Sequence, residues 1–302
     1  MVCELSYVIS TYNRLSFLKI LLSKLIEEVR ENEEIVVVDG GSTDGTRAFL
    51  EDLFNKGFIH QYISERDKNQ AHGWNKALLI AKGSIIKKII DDDVFDFTSI
   101  RKCANYMIAH PEVDVIISND LSAKLDNPTL ITRNTRLGQY KSWATNQTQS
   151  FTFGDVHMLI KRSSLAIIGL YNTGYVMIDW EYSLRISHLR ANIVYYTGYN
   201  ALSVFQEQSV SGLMKKDQIT AQSKRAMAFY EYAGDDAEIT LWSKIKIAVG
   251  KRIFSQAPST ASHERIDNIS QIYEQLYKEI DLINKAVKFE FIKIADLSEA
   301  KG

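Results

Sequence analysis

Residues 34–41 read Glu-Ile-Val-Val-Val-Asp-Gly-Gly, an apolar run that ends in a carboxylate and a pair of glycines. Such a run is typical of a strand buried on both faces of a parallel sheet. Strand patterns at 5–10, 59–64, 84–90 and 113–118 alternate with amphipathic helical patterns. The alternation predicts an α/β protein whose doubly wound sheet carries helices on both faces.

Start and stop signals frame the predicted helices. Gly83 follows the helix predicted over 71–81, and we interpret it as the C-terminal glycine of that helix. Asp96 or Thr98 is expected to cap the next helix, which runs to Ala109.

The second half of the chain is less regular. Residues 120–150 are rich in Asn, Thr and Arg, and predict an irregular lid or substrate-shaping loop. Beyond them we predict a strand over 151–160, a helix over 179–189 and a short strand over 193–196. From about residue 220 onward helical patterns dominate.

Composition and charge exclude several classes of protein. The 302 residues include 36 basic and 37 acidic ones, a formal net charge of −1, which gives no support to a nucleic-acid-binding protein. Cys3 and Cys103 show no metal-ligand spacing, so neither a zinc site nor a disulfide scaffold is expected. We see no signal-peptide pattern and no apolar run near the ~20 residues of a membrane span, and therefore expect a cytoplasmic protein.

Polar residues follow four of the predicted strands. They are Thr11-Tyr12-Asn13-Arg14, then Asp39, then Glu65-Arg66-Asp67-Lys68, and last Asp91-Asp92-Asp93. In an open α/β sheet ligands bind beyond the carboxyl ends of the strands, so we expect these groups to share one site.

The cluster Asp91-Asp92-Asp93 indicates a cation. Adjacent like charges raise one another's pKa unless a positive charge compensates, and Mg²⁺ or Mn²⁺ suits carboxylate ligands. The alternative is a solvated acidic turn that caps the next helix. Asp39, beside Gly40, is placed to accept hydrogen bonds from a nucleobase or ribose, or else to stabilise the turn.

Four motifs together resemble family 2 glycosyltransferases. They are Val8-Ile-Ser-Thr-Tyr-Asn-Arg14, Val38-Asp-Gly-Gly-Ser-Thr-Asp-Gly-Thr46, Ser64-Glu-Arg-Asp-Lys68 with Asn75-Lys76, and Asp91-Asp92-Asp93, in the family's order over about residues 4–210. The resemblance implies a GT-A fold, with a mixed, doubly wound sheet. It also implies a nucleotide-diphosphate-sugar donor, a divalent metal (Mn or Mg) and inverting transfer to a glycan or lipid-linked acceptor, as in bacterial polysaccharide biosynthesis.

Roles carry over residue by residue. The resemblance implies that the nucleotide sugar is bound by Thr11, Tyr12, Arg14, Asp39, Asp67, Lys68, Asp91 and Asp92, and that the metal is bound by Asp93. One subgroup has a Gly and an Asp where this chain has Asn69 and His72, so the donor preference of that subgroup does not carry over.

An inverting transferase needs a general base near the acceptor hydroxyl. Residues 178–185 resemble the family segment that holds it, and we assign Asp179 as the base, kept ionised by the start of a helix. Glu181 is the alternative base, and an ordinary helix cap is the alternative role.

Three further residues are weaker candidates. Trp180 either stacks on the acceptor or belongs to the core, and His157 either reaches the site or is structural. Lys215, with Lys216 beside it, either neutralises the leaving diphosphate or lies on a solvated surface.

We divide the chain into a catalytic domain over 1–215 and a helical extension over 216–302. The nucleotide-binding half covers 1–120 and the acceptor half 121–215. Two other functions stay open: a nucleotidyltransferase that makes nucleotide sugars, and a non-catalytic nucleotide-binding module. The first should show a glycine-rich basic loop after the first strand, and the second should lack Asp179.

The extension contains two amphipathic patterns. Residues 239–263 lack acidic side chains and suit either a helix lying on an anionic membrane or packing on the catalytic domain. Apolar residues from Ile266 to Val287 form a heptad seam, which predicts either a homodimer or packing on the chain's own domain.

Overall fold

The computed structural model describes residues 3–206, 216–232, 234 and 268–299. The strands are β1 Leu5–Thr11, β2 Glu33–Asp39, β3 Gln61–Ser64, β4 Ile85–Ile89, β5 Val94–Phe95, β6 Val115–Ser118, β7 Asp120–Lys124, β8 Asn127–Asn134, β9 Met158–Lys161, β10 Ile193–Tyr196, β11 Ala201–Phe205 and β12 Phe291–Ile292. The helices are α1 Leu15–Glu28, α2 Thr46–Asn55, α3 Gln70–Ile80, α4 Phe97–Ala109, α5 Leu137–Ala144, α6 Leu165–Ile168, α7 Ile178–His188, α8 Lys216–Phe229, α9 Ile269–Ala286 and α10 Ile294–Glu299.

Within the described residues the strands form a main sheet and a smaller one. The main sheet has the order β12-β10-β6-β9-β4-β1-β2-β3, and the smaller sheet has the order β5-β11-β7-β8. Strand β1 pairs in parallel with β2 and β4, whereas β9 and β12 run antiparallel to their neighbours. The mixed, doubly wound sheet that the sequence predicts is confirmed.

The apolar run of β2 shows why the sheet is covered on both sides. Ile35 and Val37 pack in the core that contains α1 and α4, while Val36 and Val38 pack in the core that contains α3 and α7. Successive side chains of a strand point to opposite faces, so a strand between two helical layers has to be apolar at every position.

Residues 120–150 are not the irregular lid that their composition predicts. They form the hairpin of β7 and β8, followed by α5. Strand β7 pairs with β11, some 80 residues further along the chain, and most of β8 is exposed. The segment looks like a loop because exposed strands are polar and because its partner is distant.

The strand predicted over 151–160 is also shorter. Only Met158–Lys161 is a strand, and a 3-10 turn precedes it at Asp155–His157. Phe151 instead donates its backbone N–H to Ser187 Oγ over 3.1 Å and packs against the ring of Trp143. At Phe151, packing in the aromatic core therefore takes the place of the strand pairing that the sequence predicts.

The capping expectations have different outcomes. The Asp96 side chain accepts the N–H of Ser99 over 2.9 Å and caps α4, as predicted. Gly83 is not the terminal glycine of α3: the helix ends at Ile80, and Gly83 lacks a positive φ. Its N–H donates to Ser6 Oγ over 2.8 Å, so a close approach to β1 explains the glycine.

Substituting Gly83 tests this interpretation. A Cβ at residue 83 would lie 2.6 Å from the backbone N of Ser6, which is too close. We expect Gly83→Ala to lower the free energy of unfolding by about 1–3 kcal/mol in urea denaturation, the range found for overpacking. Gly138→Ala is the control, since that site is open and helical and should lose no stability. Equal effects of the two substitutions would contradict the close approach.

The heptad seam packs on the chain's own domain. In α9 the seam residues Tyr273, Leu276, Ile280 and Ile283 are buried. They pack against Leu121, Leu202 and Val204 of the smaller sheet. The apolar stripe of α9 is thus covered by the chain's own smaller sheet, as the alternative to the homodimer predicts. Ile266, at the start of the seam, lies outside the described residues.

Two other expectations also lie outside the described residues: the interfacial helix over 239–263, and Lys215. Among the described helices, none is long and apolar enough to cross a membrane.

Candidate active site

The three carboxylates after β4 lie at the carboxyl end of the main sheet, in a segment that we call the acidic turn (Asp91–Asp93). Thr11 ends β1 and donates from Oγ1 to Asp91 Oδ2 over 2.7 Å. Arg14, which precedes α1, donates from Nε to Asp91 Oδ1 over 3.4 Å and from Nη2 to Asp92. The structure thus brings together four of the residues that the sequence predicts: Thr11, Arg14, Asp91 and Asp92.

The acidic turn also contacts the smaller sheet. The backbone N–H of Val204, in β11, donates to Asp93 Oδ1 over 2.8 Å, and Gln206 Nε2 donates to Asp92 Oδ2 over 2.6 Å. Burial and the neighbouring Asp92 charge raise the pKa of Asp91 to about 6. The same causes raise the pKa of Asp93 well above its ordinary value. The ionised forms of Asp91 and Asp93 are therefore disfavoured in this fold, and a positive charge beside them would stabilise those forms.

A divalent cation fits this turn in combination with a substrate. Among the described residues, no group of three or more His, Cys, Asp or Glu side chains is placed to hold a metal ion. Mg²⁺ commonly takes one or two carboxylates and completes its shell with substrate phosphates and water, and Mn²⁺ accepts similar oxygen ligands. Asp91 and Asp93 are buried oxygen donors with incompletely compensated charge, so they fit such an ion once phosphates supply further ligands.

Asp39 is engaged within its own loop. Its carboxylate is fully buried and accepts the N–H of Ser42 over 3.2 Å and the hydroxyl of Ser64 over 2.7 Å. These contacts support the turn role that the sequence leaves open. Tyr12, in contrast, exposes 60% of its surface beside this loop and is available to a ligand.

Asp67 and Lys68 have different surroundings. Asp67 Oδ1 pairs with Nζ of Lys76 over 2.6 Å, and it lies 3.3 Å from Nδ1 of His72, which accepts the N–H of Lys68 over 3.2 Å. Lys68 is exposed. Asn69 caps α3 by accepting the N–H of His72 over 3.1 Å. The two positions where the chain departs from the subgroup pattern therefore organise the segment around Asp67.

Asp179 lies in the first turn of α7 and is half-buried. The sequence predicts that the helix start keeps it ionised. In the structure, however, the pKa of Asp179 is raised. Burial raises it most, followed by the negative charge of Asp155, and these two effects outweigh the lowering by Lys88 and by the backbone N–H groups. A raised pKa makes the carboxylate a stronger base once it is ionised.

Sequence reasoning missed the buried charges beside Asp179. Lys88 Nζ lies 2.6 Å from Asp155 Oδ2, which also accepts the hydroxyl of Tyr171 over 2.7 Å. The Lys88 ammonium stands 4.3 Å from the ring centre of Trp74. A signal was present, because Lys87-Lys88 interrupts an apolar run predicted to be a buried strand, and buried lysines need partners.

Glu181 is not placed to act as the alternative base. Its side chain is fully buried, and Oε2 accepts Arg185 Nη2 over 2.6 Å while Oε1 accepts the hydroxyl of Tyr230 over 2.5 Å. Trp180 packs edge-on against Tyr232, with ring centres 6.1 Å apart, which supports the core interpretation. Both side chains help to hold α7 in place.

His157 belongs to the structural alternative. It lies in the 3-10 turn that precedes β9. It is buried, with Nε2 3.8 Å from Asp120 Oδ1, and burial lowers the pKa of its ring. Its ring faces Asp120 of the hairpin.

The chain belongs to glycosyl transferase family 2, since residues 6–168, more than half of its length, match the sequence profile of that family. It is 24% identical over 186 residues to a PGL/p-HBAD biosynthesis glycosyltransferase of Mycobacterium bovis (strain BCG / Pasteur 1173P2), covering 60% of this chain and 68% of that protein. It is 21% identical over 225 residues to a poly-beta-1,6-N-acetyl-D-glucosamine synthase of Staphylococcus aureus (strain COL), covering 70% of this chain and 52% of the synthase.

Two solved structures share the fold. TarS 1–349 of S. aureus in complex with UDP-GlcNAc superposes with a TM-score of 0.58 and 16% identity, over 93% of this chain and 81% of that chain. The mannosyltransferase PcManGT from Pyrobaculum calidifontis, in complex with GDP-Man and Mn²⁺, has a TM-score of 0.53 and 16% identity, over 92% and 85% of the two chains. The protein is therefore a glycosyltransferase in family and in fold.

Proposed function

We propose that the protein transfers a sugar, with inversion and with Mn²⁺ or Mg²⁺, from a nucleotide-diphosphate donor to a hydroxyl of a glycan or lipid-linked acceptor. One observation carries the proposal: Thr11, Arg14 and the acidic turn are joined by hydrogen bonds at the carboxyl end of the sheet. Ligands of open α/β sheets bind at such an edge. The two fold neighbours were solved with UDP-GlcNAc and with GDP-Man and Mn²⁺, which supports a nucleotide-diphosphate sugar as the donor.

At the donor end, Asp93 and Asp91 are the residues that would hold the cation. When bound, the metal stabilises negative charge on the leaving diphosphate. Thr11 orients Asp91, and Arg14 stands beside the carboxylates, where it can neutralise part of the diphosphate charge. Exposed Tyr12 is positioned at the same edge for the nucleotide.

At the acceptor end, Asp179 is the proposed general base. Asp179 is half-buried as a residue, whereas Glu181 is fully buried and paired with Arg185, so Asp179 is the better placed of the two to meet an acceptor hydroxyl. The loop before α7 is tied to α3, since Asn75 Oδ1 accepts the N–H of Tyr171 and Asn75 Nδ2 donates to its carbonyl, each over 2.8 Å. This tie joins the proposed nucleotide half (1–120) to the proposed acceptor half (121–215).

A donor panel tests the proposal. Nucleotide sugars of several bases are incubated with Mn²⁺, with Mg²⁺ or with a chelator, and donor cleavage and product anomer are measured. We expect metal-dependent cleavage of one donor class and an inverted product. Nucleotide binding without turnover by any donor would favour the non-catalytic alternative. Pyrophosphate-dependent synthesis of a nucleotide sugar would favour the nucleotidyltransferase.

The charges beside Asp179 allow a pH test of the base. Ionised Asp179 is required, so activity should rise with pH through its pKa. Asp155 raises that pKa and Lys88 lowers it. We expect the acidic limb of the kcat profile to move down by about one pH unit in Asp155→Asn and up by about one unit in Lys88→Met.

The double variant Lys88→Met/Asp155→Asn is the control for this test. It removes both charges of the ion pair, so its acidic limb should return towards that of the wild type. If the acidic limb moved in the same direction in both single variants, a group other than Asp179 would be the one that titrates.

A further inference from the structure

The acidic turn is also held by the C-terminal helix α9, far outside the residues that match the family profile. Tyr273 is 2% exposed, and its hydroxyl donates to the backbone carbonyl of Asp92 over 2.6 Å. We propose that Tyr273 is a positioning residue for the donor site: it keeps the acidic turn in the geometry that binds the nucleotide diphosphate. This inference rests on the proposed function of the turn.

The turn needs such a support because its three carboxylates repel one another. Inside the turn itself, the N–H of Asp93 bonds to the carbonyl of Ile90 over 3.2 Å. The bond from Tyr273 reaches the middle residue through its main chain, and so leaves the Asp92 carboxylate available to Arg14 and Gln206. A main-chain anchor can therefore fix the backbone without occupying a carboxylate oxygen.

Helix α9 holds the segment at a second point as well. Asn284 donates from Nδ2 to Asp96 Oδ2 over 2.5 Å, and exchanges hydrogen bonds of 2.7 and 3.1 Å with the main chain of Tyr199. Asp96 caps α4 directly after β5. The chain from Asp92 to Asp96 is thus fastened at both ends to one helix.

The same tyrosine connects to the arginine of the site. The ring of Tyr273 lies 6.0 Å from that of Phe17, and the Arg14 guanidinium stands 4.9 Å above the Phe17 ring. Arg14 in turn pairs with Asp91 and Asp92. Packing from α9 therefore supports both the acidic turn and its cationic neighbour.

Tyr277 provides a matched control one helical turn away. Its hydroxyl is also buried, but within the described residues it has no hydrogen-bond partner. Removal of either hydroxyl leaves the ring in place. Only Tyr273→Phe removes a bond to the turn.

The test measures binding of UDP and of GDP, each with Mn²⁺, by titration calorimetry, together with donor and acceptor KM values. Without its anchor the turn spends part of the time in other arrangements, and apparent affinity falls with the competent fraction. We expect Tyr273→Phe to raise Kd and donor KM about tenfold, the loss of one buried hydrogen bond, with acceptor KM unchanged. Tyr277→Phe should bind as the wild type does.

Asn284→Ala, which frees the other end of the segment, is the second variant and should weaken nucleotide binding in the same direction. The inference fails if Tyr273→Phe binds the nucleotides normally, whatever Asn284→Ala does, or if Tyr277→Phe is impaired as much as Tyr273→Phe. A lower melting temperature with unchanged Kd would also overturn it, because Tyr273 would then be purely structural. If the wild type and Asp93→Asn bind UDP and GDP with Mn²⁺ equally well, the donor does not bind at the acidic turn, and the proposed function fails with the inference.

Discussion

Asp93→Asn abolishes sugar transfer, with a loss of about 10³-fold or more in kcat/KM, if Asp93 is the metal ligand that we propose. The size follows from the several kcal/mol by which a bound metal stabilises developing charge on a leaving group. The amide oxygen of Asn can still accept the N–H of Val204, so the local backbone keeps its support. Transfer assays with Mn²⁺ and nucleotide sugar measure the loss.

Two controls separate this effect from unfolding. Asp52→Asn changes net charge equally, but Asp52 is exposed on α2 and pairs only with Lys56 among the described residues, so activity should not change. Burial and like charges raise the pKa of Asp93, which means that its ionised form is disfavoured in the metal-free fold. Metal-free Asp93→Asn should therefore melt no lower than the wild type. Full wild-type activity in a chelator would contradict the metal assignment.

Asp179→Asn is expected to lower kcat by about 10²–10⁴-fold with little change in donor affinity, as for the loss of a general base. An amide cannot take the proton of the acceptor hydroxyl, yet it has nearly the same shape. Rapid-quench assays at saturating donor and calorimetry of nucleotide binding give the two quantities separately. Lost donor binding with unchanged turnover of the bound complex would make Asp179 a donor ligand.

Glu181→Gln provides the contrast on the same helix. Glu181 is fully buried and pairs with half-buried Arg185. Removing one partner of a fully buried pair costs about 3 kcal/mol or more, and we expect a smaller loss here. We expect this variant to lose stability in urea denaturation while the folded fraction keeps its turnover rate. A loss of turnover equal to that of Asp179→Asn, at unchanged stability, would return Glu181 to the role of base.

The local patterns predict the layout of the donor half well. The apolar run of β2 predicts a strand between two layers, and both of its faces are indeed covered. The polar groups at the ends of β1 and β4 were expected to meet, and Thr11 and Asp91 do so. Parallel neighbouring strands place their carboxyl ends at the same edge of the sheet. The order of strands and helices along the chain is therefore enough to predict that these groups meet.

The acceptor half shows where local patterns fail. The hairpin of β7 and β8 resembles a loop in sequence because it is polar and because most of β8 is exposed. Lys88, Asp155 and Tyr171 meet in space from three separate segments. Their pairing depends on the distant packing of β4 against β9, which no short stretch of sequence encodes.

Local sequence patterns were enough to predict the α/β class, the edge of the sheet at which the candidate site lies, and the acidic residues to test. These follow from periodicity and from residue type, which act over a few neighbouring positions. Local patterns do not predict that Glu181 is held in an ion pair, that the pKa of Asp179 is raised, or that Tyr273 bonds to Asp92, 181 residues away in the chain. Burial, charge compensation and long-range hydrogen bonds are properties of the packed molecule, so they exist only after folding has brought distant residues together.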